Sequence, residues 1–311
     1  MRNRTRALLY LTGLFAALAV ATITLHTAVT DISQPFPAVR GPAEEDSLRI
    51  QKPLLAIGVV SRYPPPVIYH GYQPIMDYLT DHTRYRCELR TASSYQDAVD
   101  QLVRGEVAAA FLGTYIYVRA HQQFLVRPIL KPLNENGEPF SRSVLITRTE
   151  SPIRAIRDLR GKRVALPSQD SFSGNWLPLA EFPRAGFASK DLPVVRHFSH
   201  HQSVVYQVLK GSFDAGVVKE RVAREFGDRN LRIVSSSSPI PGSPLVVKRD
   251  CDTAIVQSLQ GALLAIDVRT PAGRERVRQW DQEFRYGFVV ATDEDYDEVR
   301  ALLQGQRRSR E

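Results

Sequence analysis

The chain has 311 residues, of which 43% are hydrophobic, and a formal net charge of +8 at neutral pH. The arginines of the first six residues contribute three of these charges and residues 307–311 contribute two, so the remainder is only weakly basic. It lacks the basic, aromatic-interleaved face that a nucleic-acid partner needs. Cys87 and Cys251 are too few for the disulfide framework of a small secreted domain, and buried free thiols are expected rather than a bridge.

Residues 1–30 are predicted to be a signal peptide or an amino-terminal membrane anchor. Arg2, Arg4 and Arg6 precede an uncharged stretch from Ala7 to Val29, the order of a positive region followed by an apolar one. Small residues offer cleavage sites within this stretch, but it is also long enough to span a bilayer. In both cases the positive-inside rule places the rest of the chain in the periplasm. The proline-rich residues 31–53 are expected to be a linker.

From Leu54 onward the pattern predicts alternating strands and helices. Buried apolar runs indicate strands at 54–60, 86–89 and 107–112, and helical spacing places helices at 72–80 and 95–103. Two further strands, at 126–133 and 143–147, are joined by a polar turn at 134–138. This order predicts a first α/β unit, and its last two strands lead the chain out of that unit.

A second unit repeats the same theme. It begins at Ser151 with a short helix at 156–159. Strands follow at 163–166, 194–198, 215–218 and 231–234, with helices at 177–182, 203–209 and 221–226. A strand at 245–248 is predicted to return to the first unit, before helices at 254–265 and 274–284.

The predicted fold class is therefore α/β, with two lobes around a ligand cleft. We assign residues 54–137 and 243–303 to lobe 1, residues 138–242 to lobe 2, and residues 304–311 to a basic tail. Ligands in open α/β sheets bind outside the carboxyl ends of the strands. The loops expected to line the cleft are those after Val60, Leu112, Leu166, Phe198 and Val218.

The turn Ser171-Phe172-Ser173-Gly174 is the strongest candidate for ligand contact. It follows a predicted strand and precedes a predicted helix. The first N–H groups of a helix lack partners within it, and the helix dipole adds positive charge there, so such a turn attracts anions. A serine that only caps the helix produces the same sequence pattern, and the turn alone does not separate the two interpretations.

The joint order of several short motifs resembles the phosphonate/phosphite-binding proteins of bacterial ABC importers, which are type II periplasmic binding proteins. The resemblance covers about Leu54 to Asp267, and the spacing of its motifs is more specific than any one of them. The motifs are Pro74–Leu79, Ser94–Val99, Gly105, Ala110–Val118, Asp158–Val164, Ser171–Gly174, His201, Gly211, Asp214–Gly216 and Pro239–Pro241.

This resemblance implies a periplasmic solute-binding protein without a cofactor, and not an enzyme. Its ligand would be a small oxyanion of the phosphonate, phosphite or phosphate class, delivered to an ABC permease in the inner membrane. The ligand-binding residues implied by matching position are Tyr95, Thr114, Tyr117, Ser171, Phe172, Ser173, Gly174, His201 and Asp214.

The resemblance also implies a role for each of these residues. Ser171, Ser173 and the N–H groups up to Gly174 would hold anionic oxygens, while Tyr95 and Tyr117 would donate from the first lobe. In the second lobe, His201 would donate to the ligand or balance its charge. Asp214 would accept a proton from a protonated oxygen or orient neighbouring groups. The ordinary alternatives are a packing role for Tyr95, a core position for Tyr117 and a turn position for Asp214.

The chain departs from the family pattern at two of these positions. The family usually has Thr or Ser where this chain has Phe172, and Pro where it has Thr114. Phe172 removes a hydroxyl donor and adds bulk to the pocket, and an unmade buried hydrogen bond costs roughly 1–3 kcal/mol. We therefore predict a class of ligand rather than one ligand.

Two other kinds of site, catalytic and metal-binding, have candidate residues in this chain. Ser171, His201 and Asp214 contain the residue types of a catalytic triad, but no Gly-x-Ser-x-Gly elbow is present. His197, His200 and His201 lack the cysteines or spaced carboxylates of a metal site.

The alternative function is ligand sensing, with a membrane histidine kinase as the partner. A retained anchor and the altered turn at Phe172 would suit such a sensor. Cys87 could then serve as a soft ligand for an arsenic oxyanion, although a buried strand residue is the simpler interpretation.

Overall fold

The computed structural model describes residues 51–227 and 229–308, with the side chains of 305–308 left out, and these residues belong to one compact unit. The predicted signal segment 1–30 and nearly all of the linker 31–53 lie outside them. Among the residues that the structure describes, no helix is both long enough and apolar enough to cross a membrane.

The strands, in chain order, are β1 (Leu54–Val59), β2 (Arg86–Thr91), β3 (Ala109–Phe111), β4 (Arg127–Pro132), β5 (Phe140–Ser141), β6 (Ser143–Arg148), β7 (Arg163–Leu166), β8 (Val194–His197), β9 (Ala215–Lys219), β10 (Leu231–Ser236), β11 (Ile240–Pro241), β12 (Leu245–Val247) and β13 (Phe288–Val290). They form two large sheets and one short pair. The strands that the sequence predicts are found with small shifts at their ends.

The α-helices are α1 (Pro65–His82), α2 (Tyr95–Arg104), α3 (Thr114–Phe124), α4 (Phe172–Trp176), α5 (Phe182–Arg184), α6 (His201–Leu209), α7 (Glu220–Glu225), α8 (Thr253–Leu264), α9 (Pro271–Val277) and α10 (Asp297–Arg308). A π-helical turn, Leu177–Glu181, joins α4 to α5 without a break. Short 3₁₀ helices occupy Ile156–Leu159, Ser189–Asp191 and Glu294–Tyr296.

Each lobe is built on one of the two large sheets. The six-stranded sheet has the order β13-β4-β12-β3-β1-β2, and β1 runs parallel to both β2 and β3. The five-stranded sheet has the order β10-β6-β9-β7-β8, and β7 runs parallel to both β8 and β9. The two sheets thus repeat one arrangement, in which the carboxyl ends of the parallel strands share an edge.

The chain crosses between the sheets twice. It leaves the first sheet after β4 and returns to it as β12, and the two crossings pair with each other as β5 and β11. β12 enters the first sheet between β3 and β4, with Leu245 opposite Phe111, and it is antiparallel to both neighbours. The predicted return of the segment at 245–248 to the first unit is therefore confirmed.

Two predicted helices need correction, and two helices of the structure, α3 and α10, were not predicted. The helix predicted at 72–80 begins earlier, at Pro65, because a proline in the first helical turn costs no hydrogen bond and is preset for the helix. α3 was not predicted, since its first five residues, Thr114–Val118, are all buried and show no polar face. The helix predicted at 274–284 ends at Val277, and the residues after it form turns.

The second lobe keeps its own apolar core, and Phe172 joins that core to the first lobe. Leu166, Trp176 and Phe182 are fully or almost fully buried in one cluster of the second lobe. The partly buried Phe172 packs against this cluster and against the first-lobe cluster that contains Tyr95. The residue that departs from the family pattern is thus an apolar contact between the lobes.

Candidate functional site

The carboxyl ends of the strands in both sheets surround a small cavity of about 20 Å³, which is room for one water-sized group. All five loops predicted to line the cleft contribute residues to it. The lining residues are Val60, Arg62, Tyr95, Gly113, Thr114, Ser141, Ser143, Ser171, Phe172, Ser173, His201, Lys219, Ile240 and Ser243. Six of the nine predicted site residues are among them.

The turn before α4 supplies backbone donors rather than free hydroxyl groups. The Ser171 hydroxyl accepts a hydrogen bond from the Gly174 N–H at 3.0 Å and donates to the Ser168 carbonyl at 2.8 Å, so Ser171 caps the helix. The Ser173 hydroxyl lies 2.6 Å from that of Ser143. The N–H groups of Phe172 and Ser173 begin the helix and have no partner within it. These two N–H groups are the donors that the turn offers.

Gly174 does not offer its N–H, but its lack of a side chain shapes the turn. A Cβ atom at this position would lie 2.1 Å from the Ser168 carbonyl oxygen and 2.8 Å from that of Pro167. Any side chain would therefore push the helix away from the loop before it. Gly174 keeps the donors of Phe172 and Ser173 close to the strand end.

His201 is buried at the first position of α6 and lines the same cavity. The Lys219 backbone N–H donates to its Nδ1 at 3.2 Å, so the proton of the neutral ring is on Nε2. Burial lowers the pKa of His201 well below its usual value, and the neighbouring charge of Lys219 lowers it further. His201 therefore offers a neutral N–H donor, and among the described residues Nε2 has no hydrogen-bond partner.

From the first lobe, Tyr95 and Thr114 reach the cavity at the starts of α2 and α3. Only 5% of Tyr95 is exposed, and its hydroxyl has no hydrogen-bond partner among the described residues. Burial raises the pKa of Tyr95, so the hydroxyl keeps its proton and remains a donor. The Thr114 hydroxyl instead donates to the Pro241 carbonyl at 2.9 Å, which ties α3 to the second crossing.

A buried ionic cluster forms one wall of the cavity. The Lys219 ammonium lies 2.6 Å from Glu283 Oε1 and donates to the Ser243 hydroxyl at 2.9 Å. Arg62 binds the other oxygen of Glu283 and donates to the Tyr72 hydroxyl. Because Lys219 ends β9 of the second sheet while Arg62 follows β1 of the first, Glu283 joins the lobes through ion pairs.

Burial and charge act in opposite directions on these groups. Burial alone would raise the pKa of Glu283, but Arg62, Lys219 and Arg221 together hold it well below its usual range. For Lys219 the balance is reversed, because burial outweighs Glu283 and lowers its pKa to about 8. Glu283 is thus ionised at neutral pH, whereas Lys219 titrates only slightly above it.

A larger cavity, of about 380 Å³, adjoins the cluster and shares Ser141 and Lys219 with the smaller one. Its lining includes basic side chains such as Arg142 and Arg224 together with the carboxylates Glu135 and Glu220. Arg224 is already paired with both of these carboxylates. We place the candidate site in the smaller cavity because the residues that carry the unpartnered donors line it.

Tyr117 and Asp214 do not line the small cavity, and the hydroxyl of Ser171 lines it but is engaged in capping α4. The Tyr117 hydroxyl donates to Asp293 at 2.5 Å, and its ring packs against Tyr296 within the first lobe. Asp214 precedes β9 and pairs with Arg163 at the start of β7, at 2.9 Å. It therefore lies at the amino ends of the strands, away from the cavity at their carboxyl ends.

The triad and metal interpretations also gain no support from the geometry. His201 Nδ1 accepts a backbone N–H instead of donating to a carboxylate, and Asp214 lies at the other edge of the sheet. His197 Nδ1 lies 2.7 Å from the Pro167 carbonyl, while His200 Nδ1 lies 3.1 Å from that of Ser61. Within residues 51–227 and 229–308 there is no group of three or more His, Cys, Asp or Glu that could hold a metal ion.

The two cysteines are free thiols, with Cys87 buried and Cys251 partly exposed. Burial raises the pKa of Cys87 to about 12. Because metals and arsenic oxyanions bind the thiolate, such a group is a poor ligand at neutral pH. The suggested role of Cys87 in arsenic sensing therefore has no support in its surroundings.

Sequence reasoning missed three residues of the buried ionic cluster, namely Arg62, Lys219 and Glu283. Arg62 lies two residues after the predicted strand end Val60, and Lys219 directly follows Val218, so position alone could have identified both. Glu283 gave no local signal, because it lies in the segment that was expected to continue a helix. Its place beside Arg62 is a consequence of the tertiary fold.

Two α/β lobes joined by two paired crossings define the fold of a two-lobe periplasmic binding protein. A family described as "ABC transporter, phosphonate, periplasmic substrate-binding protein" matches residues 57–296. The chain belongs to this family, whose members are transport proteins rather than enzymes.

Known relatives agree with this assignment. The chain is 25% identical over 255 residues to the phosphate-import protein PhnD of Mycolicibacterium smegmatis, covering 74% of this chain and 78% of that protein. It is similar in fold to a binding protein component of an ABC phosphonate transporter from Pseudomonas aeruginosa, with a TM-score of 0.71 and 18% identity over 82% of this chain and 87% of the other. PhnD1 of Prochlorococcus marinus in complex with methylphosphonate also has a TM-score of 0.71, with 17% identity over 82% of this chain and 98% of the other.

Proposed function

We propose that this protein captures a small phosphorus oxyanion between its lobes, in the small cavity at the carboxyl ends of the strands, and delivers it to an ABC permease. One observation carries the proposal. Neutral donors from both lobes converge there without partners among the described residues, namely the N–H groups of Phe172 and Ser173, His201 Nε2–H and the Tyr95 hydroxyl. Preorganised donors of this kind bind anions through dipoles.

The names of the relatives narrow the class of ligand. The Mycolicibacterium protein is named for phosphate import, and the Prochlorococcus structure contains methylphosphonate. Both are tetrahedral phosphorus oxyanions of a size that two lobes can enclose. A cavity of about 20 Å³ is smaller than such an ion. Binding therefore requires the lobes to open slightly along the hinge by which two-lobe proteins close around ligands.

The two tyrosines that the resemblance implied as donors provide a matched test. Tyr95→Phe removes a hydroxyl that lines the cavity, whereas Tyr117→Phe removes one that is bound to Asp293. We expect Tyr95→Phe to weaken binding of methylphosphonate or phosphate by about tenfold, the usual contribution of one hydrogen bond to an ion. Tyr117→Phe should leave the Kd unchanged. Calorimetric titration of the wild-type chain and both variants measures this.

Two results would count against the proposal. One is a wild-type chain that binds neither phosphate, phosphite nor methylphosphonate. The other is an equal loss of affinity in both tyrosine variants, because the small cavity would then not be the binding site.

The transport role has a separate test. The matched family is one of transport proteins, which favours a permease as the partner over the histidine kinase considered from the sequence. Cells that lack this protein should lose high-affinity uptake of the oxyanion that the purified chain binds. Unchanged uptake, in a strain without a second binding protein for that ion, would exclude the import role.

A further inference from the structure

The carboxylate of Glu283 binds the same two cations that an oxyanion in the small cavity would meet. Its Oε1 lies 2.6 Å from the Lys219 ammonium and accepts the Ser243 N–H at 3.3 Å, while its other oxygen accepts from Arg62. Only 8% of the Glu283 side chain is exposed. The protein therefore supplies an internal anion at the wall of its own anion site.

The surrounding cluster contains equal numbers of opposite charges. Asp281 lies 3.6 Å from Arg62, and Glu225 lies 3.0 Å from Arg221, which is itself 3.8 Å from Glu283. With Lys219, three cations thus face three carboxylates. A ligand that enters the cavity meets no uncompensated cation in this cluster.

From this balance we infer that Glu283 determines the charge of the ligand and makes the cleft favour a singly charged oxyanion over a doubly charged one. The inference rests on the proposed function of the cavity. One negative charge can be stabilised by neutral donors such as His201 Nε2–H and the N–H groups of the turn. A second charge has no counter-ion, and removing it from water is costly.

The pair hypophosphite and sulfate tests this inference, since both are tetrahedral oxyanions whose charges, one and two, do not change between mildly acidic and alkaline pH. Each is titrated calorimetrically into the full-length chain at about pH 5.5, where Lys219 keeps its proton. The readout is the ratio of the two Kd values. Because the ions also differ in size, the decisive quantity is the change of this ratio on mutation.

Glu283→Gln should shift the ratio toward sulfate by about tenfold or more, because one cation is then left for the second ligand charge. Glu138→Gln is the matched control. It removes an exposed carboxylate that binds Asn134 and touches neither Arg62 nor Lys219, and it should leave the ratio unchanged. Asp281→Asn is the second variant, and it serves as the test if Glu283→Gln fails to fold. It removes a charge 3.6 Å from Arg62 and should shift the ratio in the same direction.

The outcomes separate the inference from the proposed function. If the wild-type chain binds hypophosphite or sulfate and the ratio stays the same in Glu283→Gln and Asp281→Asn, the role of Glu283 is wrong while the anion site remains. If the wild-type chain binds no oxyanion, including phosphate and methylphosphonate, the proposed function fails and the inference fails with it. A shift in Asp281→Asn alone, with Glu283→Gln folded, would assign the effect to Asp281.

Discussion

The two edges of the second sheet carry similar residue types in different surroundings. At the amino ends of the strands, Arg163 pairs with Asp214 at 2.9 Å, and 44% and 26% of the two side chains are exposed. At the carboxyl ends, Lys219 pairs with Glu283 at 2.6 Å, with 14% and 8% exposed. The first pair lies within one lobe at the surface, whereas the second is buried and joins the two lobes.

This difference shows that position in the sheet, rather than residue type, decides which charged pair belongs to the site. Water screens the Arg163–Asp214 ion pair, which is supported by one hydrogen bond from the Arg163 N–H to the same carboxylate. The Lys219–Glu283 pair has lost most of its water, and each partner depends on the other for compensation. The following predictions test this contrast.

Removing the buried carboxylate should have the largest effect. Glu283→Ala leaves Arg62 and Lys219 without their common partner, and we expect the free energy of unfolding to fall by about 3–5 kcal/mol. The matched variant at the other edge, Asp214→Ala, should cost only about 1–2 kcal/mol, because it removes a partly exposed ion pair and one hydrogen bond from the Arg163 N–H. Urea unfolding of both variants measures the difference. Equal losses would mean that the two edges do not differ in the way described.

The close backbone approach at the carboxyl edge predicts the next largest effect. Gly174→Ala places a Cβ atom 2.1 Å from the Ser168 carbonyl oxygen. We expect a loss of about 1–3 kcal/mol in the free energy of unfolding, together with weaker oxyanion binding as the turn is displaced. Gly261→Ala, in α8 with no atom within 4 Å of the added carbon, should instead stabilise the chain by up to about 1 kcal/mol. Thermal unfolding and titration with phosphate distinguish the two glycines.

The smallest predicted effect is a pH dependence that only the carboxyl edge can produce. Lys219 has a pKa of about 8, so its ammonium loses its proton as the pH rises through this value, and an anion then loses a cation neighbour. Hypophosphite binding should weaken by about tenfold between pH 7 and pH 9, with affinity highest on the acid side. Lys219→Arg stays charged over this range and should abolish the dependence. A wild-type Kd that does not change with pH would show that Lys219 does not contact the ligand.

Much of this fold could be predicted from the sequence because its strands are short apolar runs bounded by polar loops. The five loops that line the cavity followed from the rule that ligands bind at the carboxyl ends of strands. The same rule argues against Asp214, since this residue precedes β9 and so must lie at the opposite edge. Tyr117 lies one helical turn beyond Thr114, far enough along α3 to pack against Tyr296 instead.

The features that could not be predicted from the sequence, α3 and the buried ionic cluster, depend on tertiary contacts. α3 is buried around its first turn and shows no polar face, so its helical period is hidden. The segment after Val277 has helical spacing, but it forms turns in which Asp281 and Glu283 make ion pairs with Arg62. The buried ionic cluster therefore depends on residues that are far apart in the chain, and no local sequence pattern predicts their contact.

The insertion of β12 between β3 and β4 determines the order in which a growing chain can fold. While the chain emerges from its amino-terminal end, β1, β2 and β3 can pair as soon as they are available. β4, however, has β12 and β13 as its only neighbours in the described sheet, and both come later in the sequence. All strands of the second lobe's large sheet are therefore available before β12 and β13 complete the sheet of the first lobe. The lobe whose strands begin first in the sequence is completed last.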